Sequence, residues 1–335
     1  MLETAPQLSV VVPMYNESES IASTVDEIRA TLDERDLRYE LILVDDGSTD
    51  GTPDVAGKIS EEMTSLRVCC HPINLGRGMA LRTGFAEARA EIVVSIGADL
   101  SYDPPHILRL YDELAGNPSL DMAIASVYMP GGKVIGDPIF RYLISRVGNI
   151  ILSIAVGGKI RTVTCMLRAY RRHVIESLDL ESEGKELHLE IISKAIALGY
   201  HIKEIPAINK ARTTGKSKFK FGSTSVSHLL FSVAERPTVI FGVLGMILFV
   251  LGLAGGFRVT WLWWNGDLDT TGRTLLVPLV VLLSIFGLQA WCLGFISTQL
   301  ISVRKELYRI QRENSQLKGL IRRIPAVKER ADDAP

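Results

Sequence analysis

Four short polar clusters in the first hundred residues each follow an apolar run, and their side chains suit a phosphorylated ligand. Asp45, Asp46, Gly47, Ser48, Thr49 and Asp50 come directly after Tyr39 to Val44. Carboxylates there can hold a uracil or guanine edge and a ribose while Gly47 lets the backbone turn. An acidic turn that caps the next helix is the other reading. Pro13, Tyr15, Asn16 and Glu17 form a second cluster at the end of the first apolar run. Asn74, Leu75, Gly76, Arg77, Gly78 and Met79 make a turn that opens a helix. Its first amides and Arg77 can face a diphosphate, against the alternative of a plain helix start. Gly97, Ala98 and Asp99 are the fourth cluster, and a carboxylate at Asp99 suits a divalent cation held against a diphosphate.

The elements needed to bring these clusters together can be read from periodicity. Gln7 to Pro13 and Tyr39 to Val44 are runs rich in Val, Ile and Leu, with an amphipathic stretch from Ser20 to Arg35 between them. That pattern predicts a βαβ unit with a parallel sheet. It recurs as strand (Leu66 to His71), helix (Gly78 to Ala90), strand (Glu91 to Ile96) and helix (Pro105 to Leu114). The expected fold is α/β, a doubly wound, mostly parallel sheet. Its ligand crevice lies beyond the carboxyl ends of the strands, where the clusters after Val12, Val44 and Ile96 fall. After Ala125 the pattern loosens into Gly-rich turns, a helix from about Pro138 to Ala155, and a helix around Glu190 leading into a strand, His201 to Pro206.

With 335 residues, 47% of them apolar, the chain has room for one catalytic domain and an apolar annex. Thr238 to Phe257 and Leu275 to Val303 hold no charged residue. Each meets the length of about 20 residues that crosses a bilayer. Basic residues cluster from Lys210 to Lys220 and from Arg304 to Arg330, flanking both runs. The positive-inside tendency therefore predicts a multi-pass cell-membrane protein with its large domain and both termini cytoplasmic, and Arg258 to Arg273 outside. Trp261, Trp263 and Trp264 would mark the outer interface. Met1 to Glu19 runs into a strand pattern with no signal peptide, which agrees with a cytoplasmic domain. Net charge is −1, which argues against nucleic acid as a partner. The four cysteines show no metal or disulfide spacing and read as reduced packing residues.

The expected organisation is a catalytic domain over 1–224, a juxtamembrane amphipathic helix over 225–236, two transmembrane helices within 237–303 (about 238–257 and 275–301), and a cytoplasmic tail over 304–335. In that tail Leu300, Val303, Leu307, Ile310, Asn314, Leu317, Ile321 and Ile324 recur at spacings of three and four, a coiled-coil seam. It predicts a homo-oligomer, dimer or tetramer, with an amphipathic helix on the bilayer as the alternative.

In order, VVPMYNE, LVDDGSTDGT, NLGRGMAL and GADLSYDPP resemble the family 2 inverting glycosyltransferases of GT-A fold. GDPIFRYLISRVGN, VTCMLRAYRR, the helix carrying Leu187, His188 and Glu190, and ARTTGKSKFKFG look like the polyprenyl-phosphate mannose and glucose synthases. The likeness covers residues 8 to about 225.

The resemblance implies transfer of a hexose from UDP- or GDP-sugar to a polyprenyl phosphate, with inversion, assisted by Mg²⁺ or Mn²⁺. By position it implies donor contacts from Pro13, Tyr15, Glu17, Asp45, Asp46, Asn74, Arg77, Ala98, Asp99, Arg168 and Glu190. It implies acceptor-phosphate contacts from Arg141, Ser145, Arg212 and Lys218, with Asp99 on the metal and Asp99, Arg141 and Arg212 carrying the catalytic charge. From the residues alone, Arg168 can equally pair with a buried carboxylate, and Glu190 can serve a helix surface. The chain departs from the family pattern in three places: Gly97 where the first Asp of Asp-x-Asp is usual, Val127 where Arg precedes the tyrosine, and Thr162 where an acid is usual. The competing reading is a catalytically silent membrane scaffold.

Overall fold

The computed structural model describes residues 5–210, 241–266 and 270–323. The expected contacts of Arg212 and Lys218, the juxtamembrane helix and the last residues of the tail lie outside the described residues. The chain divides into two compact units.

The first unit is the α/β domain. Its strands are β1 (Leu8–Met14), β2 (Tyr39–Asp45), β3 (Leu66–Cys70), β4 (Ile92–Ser95), β5 (Met122–Ser126), β6 (Lys133–Ile135), β7 (Arg168–Arg171), β8 (Ile202–Pro206) and β9 (Ile208–Lys210). Its helices are α1 (Ile21–Asp33), α2 (Thr52–Glu62), α3 (Arg77–Glu87), α4 (Pro105–Gly116), α5 (Ile139–Ala155), α6 (Arg172–Ser177) and α7 (Leu187–Ala197). Seven strands form one sheet in the order β3-β2-β1-β4-β7-β5-β8, and β6 pairs with β9 separately.

Strands β3, β2, β1 and β4 run parallel, as expected from the sequence, with Val10 opposite Leu41 and Val94. Every residue of β1 is buried, because helices cover both faces of such a sheet. Val10, Val11 and Val12 are fully buried, each contributing about 1.5–3 kcal/mol relative to an exposed side chain. Helix α1 turns Ile21, Val25, Ile28 and Leu32 inward at spacings of three and four, the apolar stripe of an amphipathic helix.

Strand β7 departs from the sequence expectation. It lies antiparallel between β4 and β5, with Ser95 opposite Arg168 and Ile124 opposite Arg168. An arginine at each end of its four residues masks the apolar run that would mark a central strand.

The second unit is a helical pair, α8 (Val243–Trp264) and the first part of α9 (Thr270–Arg323). Both helices are long and apolar enough to cross a membrane, over Leu244–Trp264 and Leu275–Ser297. The first apolar helix thus ends at Trp264 rather than at Phe257. Nothing between them breaks a helix, and the long Arg258 side chain can carry its charge away from apolar surroundings. The helices meet through glycine: a Cβ at Gly245 would lie 2.4 Å from the Trp291 amide nitrogen, and one at Gly287 2.4 Å from that of Phe249. Such close backbone approach is how apolar helices pack where no water drives them together. Helix α9 then runs unbroken to Arg323, so the start of the tail is one helix with the second apolar segment.

Candidate active site

The crevice lies beyond the carboxyl ends of β1, β2 and β4, and the loops after β1, β2 and β3 are bonded to one another. From the loop after β1, the Asn16 amide donates to Ser48 Oγ at 2.8 Å, and the Thr49 amide donates to Asn16 Oδ1 at 2.8 Å. The Glu17 amide donates to Thr52 Oγ1 at 2.8 Å. Two of the sequence clusters are therefore one structure. Asp50 closes it: the Thr52 and Ser18 hydrogen bonds overcome the upward push of burial and bring its carboxyl down to about 2.

The third cluster is tied to the same loop by Asp46. Its Oδ1 accepts the Leu75 amide at 2.9 Å and lies 3.0 Å from His71 Nδ1, while Oδ2 accepts the Gly76 amide at 2.9 Å. Asp45 accepts the amide and hydroxyl of Ser48. Both carboxylates are buried and committed to holding the crevice together. The unpaired amides at a tight turn draw both carboxylates inward. Two glycines make the geometry possible. Gly47 has φ +69° and a Cβ there would lie 2.2 Å from the Ile73 carbonyl carbon; Gly76 has φ +99° and a Cβ there would meet the Glu183 oxygen at 2.5 Å.

Around Asp99, the Ala98 carbonyl accepts the Thr24 hydroxyl at 2.8 Å and the Ser101 amide donates to Asp99 Oδ1 at 3.2 Å. Asp99 Oδ2 has no protein hydrogen bond among the described residues, and the side chain is half-buried. A carboxylate with one oxygen not engaged by the described residues fits a hard, oxygen-seeking cation whose other ligands come from a diphosphate and water. Among the described residues no cluster of three or more metal-ligating side chains occurs. A Cβ at Gly97 would lie 3.0 Å from Asp99 Oδ1, so a side chain at position 97 would face this carboxylate.

The loop from Glu181 to Glu186 supplies residues that the sequence reading missed. The Met79 amide donates to the Glu183 carbonyl at 3.1 Å, which clasps this loop onto the start of α3. Lys185 is thereby brought near Arg77, and burial followed by the Arg77 charge pushes its ammonium down. Nothing in the local pattern around Lys185 marks it, because its neighbour is over a hundred residues away.

Glu190 shapes that loop. Its carboxylate accepts the Glu181 and Ser182 amides at 2.9 Å each and pairs with Lys194 Nζ at 2.6 Å. Burial raises its pKa, but Lys194 and the two amides prevail and hold it below the usual carboxylate range. Arg168 is fully buried. Its guanidinium donates to the His188 carbonyl at 2.8 Å and the Val163 carbonyl at 2.7 Å, bracing α7 against β7. The partners of Arg168 are backbone carbonyls, not a carboxylate.

Tyr15 and Glu17 are half-buried beside the crevice, Pro13 is buried beneath it, and Asn74 and Arg77 are exposed at its rim. Arg141 and Ser145 lie one turn apart on α5, where Tyr128 donates to Ser145 Oγ at 2.8 Å and Arg141 lies 3.8 Å from Asp137. Val127 and Thr162, two departures from the family pattern, are buried together: Thr162 Oγ1 is 2.7 Å from Ser126 Oγ and accepts the Tyr128 amide at 3.4 Å. Cys165 is buried, which pushes its thiol up and suits a packing residue.

The model of glycosyl transferase family 2 matches residues 9–179. An undecaprenyl-phosphate mannosyltransferase of Micrococcus luteus is 32% identical over 218 residues, covering 63% of this chain and 87% of that one. A polyprenol monophosphomannose synthase of Mycolicibacterium smegmatis is 30% identical over 233 residues, covering 68% and 85%. Among solved structures, glucosyl-3-phosphoglycerate synthase of Mycobacterium tuberculosis in complex with Mn²⁺, UDP and glucosyl-3-phosphoglycerate superposes with a TM-score of 0.54 at 22% identity, covering 69% of this chain and 80% of that one. That likeness establishes the GT-A fold.

Proposed function

The chain belongs to glycosyl transferase family 2, and from that premise we propose that it moves a hexose from a UDP- or GDP-sugar to the phosphate of a polyprenyl lipid, with inversion, at the cytoplasmic face of a membrane. The observation that supports the reading is the rim itself: loops after β1, β2 and β3 are bonded to one another, and the loop after β4, which carries Asp99, is tied to α1 through Thr24. By their names, the Micrococcus relative transfers mannose with undecaprenyl phosphate and the Mycolicibacterium relative makes polyprenol monophosphomannose.

The chemistry needs little from a base. A phosphate monoester has a second pKa of about 6, so the lipid phosphate is largely a dianion at neutral pH. Its oxygen attacks the anomeric carbon as the bond to the nucleoside diphosphate breaks, and that diphosphate leaves with the electron pair. Arg77 and Lys185 hold the donor diphosphate by charge, and Arg141 with Arg212 and Lys218 hold the lipid phosphate. Asp99 would hold a divalent cation, Mg²⁺ or Mn²⁺, whose charge offsets that gathering on the departing diphosphate. Helix α8 and the Leu275–Ser297 part of α9 would span the bilayer, with both termini on the cytoplasmic side.

Incubating the full chain in lipid with a panel of radiolabelled nucleotide sugars and polyprenyl phosphate tests this directly. Label should enter extractable lipid for one sugar, and Arg141→Ala or Arg212→Ala should raise the acceptor KM far more than the donor KM. No transfer from any donor would favour the scaffold reading.

A further inference from the structure

His71 is a titratable side chain that the proposed chemistry leaves unused. It follows β3, and its amide donates to the Asp45 carbonyl at 2.8 Å, which seats it against the end of β2. Its Nδ1 lies 3.0 Å from Asp46 Oδ1, and its Nε2 lies 2.9 Å from Thr83 Oγ1 on α3. The side chains of His71 and Asp46 are 10% and 5% exposed, so water has little access to the contact between them.

The partners decide where the protons are. A carboxylate only accepts, so Nδ1 carries the hydrogen of the first contact. A neutral ring then has Nε2 as its acceptor, and the Thr83 hydroxyl donates to it. Thr83 is itself held in place. It precedes Gly84, where α3 lies so close to the sheet that a Cβ would come within 2.3 Å of Val11 Cγ1. The imidazole is therefore a strut from α3 to one oxygen of Asp46.

Asp46 passes that constraint on. Its Oδ1 takes the Leu75 amide together with the ring, while Oδ2 takes the Gly76 amide, each amide at 2.9 Å. With the ring in place the carboxylate keeps one orientation. Without it, the soft terminal torsion of the side chain lets the carboxylate turn, and the two amides lose their fixed pair of acceptors. Arg77 is the next residue along the chain and opens α3. We propose that His71 is a positioning residue for the donor diphosphate: by bracing Asp46 against Thr83 it fixes the Asn74-to-Arg77 turn before the ligand arrives. The proposal rests on the reading of that turn as the diphosphate site. A turn fixed in advance spends less of the binding free energy on ordering itself, so the effect belongs to donor affinity.

Calorimetric titration of the full chain in detergent tests it, with UDP and GDP as probes and uridine and guanosine as controls. The side-chain amide nitrogen of asparagine falls where Nδ1 stood, and that of glutamine falls where Nε2 stood. His71→Asn should therefore keep diphosphate affinity within about twofold, while His71→Gln should lose about tenfold and leave the nucleosides unchanged. Equal losses in the two variants, or equal losses for diphosphate and nucleoside, would overturn the proposal. Parental affinity in His71→Gln would sink it alone and leave the donor reading standing. If the parent binds neither UDP nor GDP, the donor reading and the proposal fall together. NMR of the parent, isotope-labelled at its histidine nitrogens, gives a check that does not depend on any variant folding. A proton on His71 Nδ1 is the expected result, whereas a ring protonated at Nε2 alone has nothing to donate to Asp46 and would overturn the proposal.

Discussion

Asp46 Oδ2 accepts the backbone N–H of Gly76 at 2.9 Å, joining the tip of β2 to the start of α3 across thirty residues of chain. Oδ1 takes the Leu75 amide in the same way. Asp46→Ala leaves two amides and His71 without their acceptor in a buried place. The expected cost is about 2–3 kcal/mol, and thermal unfolding of the full chain in detergent should fall by about 4–10 °C. Donor binding should weaken with it. An unchanged melting temperature would show that water replaces the carboxylate at no cost.

The direction of a side chain at position 97 makes the cation site testable. Asp99→Asn should abolish the metal-dependent part of nucleoside diphosphate binding without changing the melting temperature. Gly97→Asp would place a second carboxylate beside Asp99, whose Oδ1 is 3.0 Å from a Cβ at that position. Two carboxylates so close repel each other until a cation joins them, so Mn²⁺ should bind more tightly and should stabilise the variant more than the parent. Calorimetric titration with Mn²⁺ decides it, and equal affinity in both proteins would remove Asp99 from the metal site.

Lys185 sits where burial and the Arg77 charge oppose its own. An anionic ligand relieves that opposition. Lys185→Ala should therefore weaken a nucleoside diphosphate by about tenfold, or about 1.4 kcal/mol, and leave a nucleoside without phosphate unaffected. The loss should shrink at high salt. Equal loss for both ligands would make Lys185 a support for the loop alone.

Glu190 predicts a pH dependence. Its folded pKa lies below the unfolded value of about 4.3. Its pairing with Lys194 and two amides therefore stabilises the fold above that value, and the contribution is lost as pH falls through the lower folded value. Glu190→Gln should cost about 3 kcal/mol at neutral pH and less as the pH drops below about 4. Melting curves from neutral to acid pH would show the two proteins converging. A constant gap would mean that Glu190 stays charged throughout or acts by shape.

The tail should self-associate. Leu300, Val303 and Leu307 are 65%, 57% and 60% exposed in the single chain, and Ile310 is 48% exposed. They occupy alternating a and d positions of α9, with Asn314 at the next a position to fix register between parallel copies. Glu313 and Lys318 would attract each other across that pair. Truncation before Tyr308 should lower the oligomeric mass in detergent by light scattering. An unchanged mass would place the contact elsewhere.

By itself the sequence determined the parallel half of the sheet, the crevice edge and the two long apolar helices. Valine runs such as Val10 to Val12, buried on both sides, and polar residues collected just after them are properties of consecutive residues, and periodicity records them. Tertiary structure alone decided what each polar atom does. Read along the chain, Asp46, Arg168 and Glu190 offer charge, and nothing there shows which groups of the protein they hold. Their partners are Gly76, the Val163 carbonyl and the Ser182 amide, and a carboxylate or guanidinium binds whichever backbone groups the fold leaves unpaired beside it. The same limit hid β7, whose place between β4 and β5 depends on strands far from it in sequence. It also hid the outward face of α5: a stripe at helical spacing has one pattern whether it is buried or exposed, and only the burial of Asn149 and Leu152 on the other face tells the two apart.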